Sequence, residues 1–383
     1  MARWSFSESR KARSVVGLTL VGAMAALVVA CSSGAPAAQP TSAPAKPAAA
    51  ATSAPAAAAT SAPAAAATKA PAAAAATAPA GAVVTKFASV QAEDHAHHLS
   101  YLFFAQRVKE LTGGKLIINI YPNSQLGNER EYIEQLRTGQ IEFARVATAV
   151  LGPFVPQFQA FDLPYLFKSK AQMLSAADGE LGALLQKQLQ EKLGIRGLGF
   201  LDDGTRSLYN NKRPVKTLAD LKGMKVRVME NQLMIKTFNT LGAAATPMAY
   251  GEVYSALQQG VIDAAEGPIN SYWAVKHFEV AKYFSFTDHF ISPALPMVAK
   301  KWYDAQPKEF QTAIDQAGKE MSMKSRELQN AQEKSAETEL KAKGSQINQV
   351  DDKAPFMKAV EPLYAEYEGK IGKDVIEMAR NAK

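Results

Sequence analysis

Arg227 stands between Val226 and Val228 in the run DLKGMKVRVMEN, and this setting makes it the most informative residue of the 383-residue chain. The β-branched neighbours mark a buried strand, whereas a guanidinium cannot shed its charge and is rarely buried without a partner. Its planar fork suits a carboxylate held bidentately. On chemistry alone that carboxylate belongs either to a bound small molecule or to an Asp or Glu of the protein's own core.

The densest group of ligating side chains is Asp94, His95, His97 and His98. His95 and His98, three residues apart, share a helix face and could hold a divalent metal. No cysteine or matching carboxylate stands near them, so the cluster reads better as a helix cap at Asp94 followed by exposed histidines. No metal or cofactor is expected. Gly194, Gly197 and Gly199 run in the wrong order for a dinucleotide fingerprint, no Walker A string occurs, and Ser207 has no nucleophile elbow around it. No cysteine follows Cys31.

The elements that must carry these groups alternate as strand and helix, an α/β pattern. Strands are expected at Lys86–Gln91, Lys115–Tyr121, Ile141–Ala147, Ile195–Leu201, Lys225–Val228 and Val261–Ala265. Asp94 opens a helix that closes at Gly113-Gly114, and a second runs from Asn128 to Arg137. Asn231 is placed to cap the helix after Arg227. Ligands in open α/β sheets sit beyond the carboxyl ends of strands, and Arg206, Arg227 and Glu266 are expected at or just past such ends. From Pro307 to Lys343 no proline interrupts a helical pattern with an apolar stripe of Phe310, Ile314, Ala317 and Met321, resumed at Leu328 and Ala331. The stripe is too irregular for a coiled coil and reads as one long helix packed across both lobes.

The other end of the chain speaks of export. Arg3, Arg10, Lys11 and Arg13 precede an apolar run, Val15–Ala30, that stops at Cys31, the only cysteine. This is the layout of a signal peptide over residues 1–30. Val28-Val29-Ala30-Cys31 resembles a lipobox, which makes Cys31 the expected site of lipidation and the membrane anchor. Residues 31–82 collapse to Ala, Pro, Ser and Thr and read as an extended, disordered tether. Residues 83–383 form the folded part, long enough for two lobes. The formal net charge is +7, but the leader and tether account for +5 of it, leaving +2 after residue 82. That near-neutral domain has no electrostatic footprint for nucleic acid.

Several strings in fixed order resemble the solute-binding proteins of TRAP transporters, the DctP-like family: YPNSQLGNERE (Tyr121–Glu131), FDLPYLF (Phe161–Phe167), DDGTRSLYNNKRPVKTLADLKG (Asp202–Gly223), the segment around Arg227, and FEVAKYFSFTDH (Phe278–His289). The resemblance implies a two-lobed periplasmic-binding-protein-like fold with a long helix bridging the lobes. It implies no enzyme but a receptor that closes over a small organic acid, such as a dicarboxylate, and hands it to TRAP permease subunits in the membrane. Arg227 would clamp the substrate carboxylate from a position near water when the cleft is empty. Arg206 matches a second ligand-directed arginine, Tyr250 an aromatic wall and Glu129 an acidic contact; Asn231 and Glu266 fall in the same set. At Glu266-Gly267-Pro268 the chain departs from the family's frequent ENP, so Gly267 offers no side-chain amide. The expected location is the outer face of the cytoplasmic membrane or the periplasm. Two other classes compete: an exported metalloenzyme or hydrolase built on the His95–His98 cluster, and an adhesive surface protein.

Overall fold

The computed structural model describes residues 81–383; the leader, Cys31 and the tether up to residue 80 lie outside the described residues. Ten strands join in one mixed sheet: β1 (Val83–Ala88), β2 (Leu116–Tyr121), β3 (Phe143–Ala147), β4 (Ile195–Gly197), β5 (Leu201–Asn210), β6 (Lys225–Val228), β7 (Ala244–Pro247), β8 (Ala264–Gly267), β9 (Tyr283–Ala299) and β10 (Gln346–Gln349). Their order is β2-β1-β3-β9-β5-β8-β6-β7, with β4 and β10 each paired to β9. β1, β2 and β3 run parallel in the first lobe, and β6, β7 and β8 run parallel in the second.

Two antiparallel strands tie the lobes together. β9 pairs with β3 through Ala294–Val298 and with β5 over Tyr283–Ala294, with two slips of register. The β5–β9 ladder slips register between Asp202 and Thr205 and again between Arg206 and Leu208, and Asp288 adopts a left-handed φ of 46°. Asp288 accepts from Ser207 Oγ at 2.8 Å and pairs with Lys353, which holds this bend in place. Bulges of this kind re-aim side chains and are common beside functional sites.

The long helix is observed at Lys308–Ala342 and bridges the lobes. Phe310, Ile314, Ala317 and Met321 join Phe87, Phe104 and Phe143 in the core of the first lobe, while Ala336 and Leu340 join Tyr272 and Phe284 in that of the second. Between them the stripe does not resume at Leu328 and Ala331, which are half-buried and exposed. Its buried face there is polar: Ser325 and Gln329, with Gln329 exchanging hydrogen bonds of 2.8 and 3.1 Å with Asn270.

Other expectations shift by a few residues. The first strand lies at Val83–Ala88 because it pairs from Val83 with Leu116, so Ser89 to Gln91 lie beyond its end. Ile195–Leu201 breaks into β4 and β5 at Gly199, whose φ of 115° and close approach to Ser322 suit only glycine. Val261 is exposed and β8 starts at Ala264. The cap expected from Asp94 comes from His95, whose Nδ1 accepts from the His97 N–H at 3.0 Å. The histidines are not exposed: His95 and His97 are fully buried and His98 nearly so. His95 Nε2 meets Ser271 Oγ at 2.9 Å and His97 Nε2 meets Asp202 O at 2.8 Å. Burial, with Arg145 beside it, pulls His97 down to about 3. Among the described residues no group of three or more His, Cys, Asp or Glu is arranged to hold a metal, and no helix is long and apolar enough to cross a membrane.

Candidate functional site

The cleft lies where the carboxyl ends of β1, β3, β6 and β8 converge across β5, the position that open α/β sheets give their ligands. Its cavity measures about 30 Å³ as room for the centre of a water-sized sphere.

Arg227, in β6, is registered against Thr246 on one side and Ala265 on the other. Its flanking valines fill the core and fix the strand, leaving the guanidinium 2% exposed at the cleft. Nε and NH2 both donate to the Met248 carbonyl, at 2.9 and 2.7 Å, and NH1 has no partner. No carboxylate of the described residues pairs with it. Arg227 is therefore not near water, as the sequence suggested, because the Met248 carbonyl draws it inward. Burial pulls its pKa down against the distant pull of Glu266, yet an arginine remains charged. The face of Tyr250 stands 5.8 Å from the guanidinium, and the Tyr250 hydroxyl also has no partner.

Arg206 is differently placed. It lies within β5, not at a strand end, and its Nε–NH2 edge grips Glu266 at 2.6 and 2.8 Å, with a further 3.1 Å bond to the Glu266 carbonyl. Burial would raise Glu266, but Arg206 and His289 outweigh it and hold the carboxyl well below the usual range. Arg206 lines the cleft with its fork already engaged, and Glu266 acts through it.

Glu129 caps the first lobe's contribution. It opens the helix Glu129–Thr138, whose N-terminus is fixed by a capping box between Asn128 and Glu131. One oxygen accepts from Arg145 NH1 at 2.7 Å and from the Ala147 N–H at 2.8 Å. Burial raises its pKa, partly opposed by Arg145. Arg145 also pairs with Asp203, so one guanidinium serves two carboxylates. Asn231 does not reach the cleft. It caps the helix Gln232–Thr240 and donates to Ala149 O and Asp162 Oδ2, both at 2.8 Å, locking the turn that follows Arg227. Gly267 lines the cleft at the end of β8.

Five polar cleft residues escaped the sequence reading: Arg145, Asp203, Gln91, Tyr209 and Ser271. Arg145 carries the signal that singled out Arg227, an arginine between apolar residues in a strand, Ala144 and Val146. Gln91 presents an unpartnered Oε1. The Tyr209 hydroxyl lies 2.8 Å from Nδ1 of His277, which burial and then Arg227 pull down to about 3, leaving it neutral. The walls thus hold three guanidinium groups and two carboxylates, Glu129 and Asp203, and of the three arginines only Arg227 lacks an anionic partner.

Fold and site together define an extracytoplasmic receptor of the two-lobed class. Residues 87–370 match the family described as DctP, bacterial extracellular solute-binding protein, family 7, and the chain belongs to that family. A solute-binding protein of Chromohalobacter salexigens is 38% identical over 264 residues, 69% of this chain and 78% of that one. The C4-dicarboxylate-binding periplasmic protein DctP of Rhodobacter capsulatus is 29% identical over 301 residues, 78% of this chain and 90% of that one. The crystal structure of a TRAP periplasmic solute-binding protein from Sulfitobacter sp. NAS-14.1 with bound β-D-galacturonate superposes with a TM-score of 0.76 at 37% identity, covering 78% of this chain and all of that one. Members of this family bind solutes for transport and are not enzymes, and the buried, hydrogen-bonded histidines lend no support to a metalloenzyme or hydrolase.

Proposed function

We propose that this protein is a lipid-anchored receptor that binds a monocarboxylate sugar acid between its lobes and delivers it to a TRAP-type permease. The observation that carries the reading is Arg227: a buried guanidinium that lines the cleft with one nitrogen, NH1, unpartnered and with no anionic partner. A carboxylate seated there completes the pairing in a low-dielectric setting where charge-assisted bonds are strong.

The opposite wall favours hydroxyl groups over a second carboxylate. Gln91 Oε1 has no donor, Glu129 has one oxygen free of hydrogen bonds, and Asp203 lies beside it. These acceptors would receive the hydroxyls of a sugar acid and repel a second anion, because Arg145 and Arg206 are already neutralised. The galacturonate held by the Sulfitobacter relative fits this chemistry better than a C4-dicarboxylate does. The remaining organisation follows the sequence: a leader over 1–30, lipidation at Cys31, a tether over 31–82 and the binding domain over 83–383, held outside the cytoplasmic membrane.

Calorimetric titration with galacturonate, glucuronate, malate and succinate tests the ligand class. Neither Trp273 nor Trp302 lines the cleft, so heat is a better reporter than fluorescence. The sugar acids should bind at least about tenfold more tightly than the dicarboxylates, a gap of about 1.4 kcal/mol. Tighter binding of malate or succinate would overturn the monocarboxylate assignment.

A further inference from the structure

Gly267 is the last residue of β8, paired with Ser207 of β5, and it is buried. Two ordinary reasons for a buried glycine fail here. Its φ lies outside the left-handed region, so its backbone conformation is open to any residue. A Cβ built on it would meet only Arg206 NH2 and Tyr209 Cε1, both at 3.8 Å, which is ordinary van der Waals contact. Gly204 shows what an obligatory glycine looks like: its φ is 85° and its Cβ would stand 2.7 Å from Pro268.

Gly267 lines the cleft with nothing to place in it. We propose that Gly267 is a size-selecting position: the missing side chain is the space, beside the edge of Tyr209 and next to Arg206, that admits the body of a six-carbon sugar acid. A side chain there would narrow the cleft without disturbing Arg227, turning a receptor for hexuronates and hexonates into one for three- and four-carbon hydroxy acids. The inference rests on the carboxylate-receptor reading above and assigns the length of the ligand behind its carboxylate.

Three full-length proteins in detergent, the wild type, Gly267→Ala and Gly267→Asn, are titrated with glucuronate, erythronate and glycerate. Overpacking a filled site is costly while a vacant one tolerates added atoms, so the losses should grow with ligand size. Gly267→Ala should weaken glucuronate about tenfold and Gly267→Asn by about 100-fold or more, with erythronate and glycerate changed by less than about threefold. Melting temperatures without ligand should stay together, because the added Cβ meets no close contact; a large drop in either variant would overturn the assignment of free space. Equal losses for all three acids, or a gain in glucuronate affinity for Gly267→Asn, would overturn size selection while leaving the receptor reading intact. A wild-type protein that binds none of the acids overturns both.

Discussion

Replacing Arg227 by methionine separates a ligand clamp from a structural cation. In the unliganded protein Arg227 makes two hydrogen bonds to one acceptor, the Met248 carbonyl, and has no counter-ion. Methionine leaves that carbonyl unpaired, at a cost of about 1–3 kcal/mol. It also removes a buried charge without an anionic partner, whose effective desolvation penalty is several kcal/mol. These terms oppose each other, so the unliganded variant should melt at or slightly above the wild-type temperature. Binding behaves differently. Truncating one partner of a buried charge-assisted pair costs about 2–5 kcal/mol, or roughly 30-fold to several-thousand-fold in affinity. Ligand at 100 times Kd stabilises the wild type by about 2.7 kcal/mol, and this shift should vanish in the variant. Arg227→Lys keeps the charge but cannot both fork onto a carboxylate and grip Met248 O, so it too should bind at least about tenfold more weakly. Differential scanning calorimetry and titration on the same preparations decide the matter. An unliganded Arg227→Met protein that melts far lower, with the folded fraction binding sugar acids normally, would refute the clamp.

Arg206→Met should give the reverse pattern, a loss of about 3–5 kcal/mol in stability without ligand, because it strands the buried Glu266 carboxylate; an unchanged melting temperature would show that Glu266 finds another partner. The Asp162 carboxyl is pushed up to about 7 chiefly by burial, against the pull of Arg206 and Asn231, with Glu266 adding to the rise. The folded protein therefore holds that proton more tightly than the unfolded chain, and the associated stability is present below about pH 4 and lost as pH rises through 7. Asp162→Asn should match the wild type near pH 4 and exceed it by on the order of 4 kcal/mol at pH 8; a difference that does not vary with pH would discount the titration. Cys31→Ser should move the protein from the membrane to the soluble fraction or leave the leader uncleaved, and fractionation like the wild type would exclude lipidation.

The sequence made visible what depends on one residue and its immediate neighbours. Arg227 showed through its valines, and Asn231 announced its helix cap. Arg145 was equally legible, since Ala144 and Val146 frame it as the valines frame Arg227, and weighing every strand arginine would have found it. Asp203 and Gln91 were not, because their place in the cleft depends on a bulge in β5 and on where β1 stops pairing with β2. β9 stayed hidden for a different reason: Pro293 and Pro296 speak against a central strand, and only its pairing across both lobes carries it through them. The polar centre of the long helix was masked likewise, as Gln329 is buried only because Asn270 satisfies it.

The continuity of β9 bears on how this protein folds as much as on how it binds. One end of the strand completes the sheet of the first lobe and the other completes that of the second, so neither lobe owns all of its strands. An isolated first lobe would expose the unpaired edge of β3, and an isolated second lobe that of β5, templates for aggregation. The lobes are therefore not separable domains. Heating should accordingly melt them in a single cooperative transition, without the stepwise loss that a chain of two autonomous domains shows.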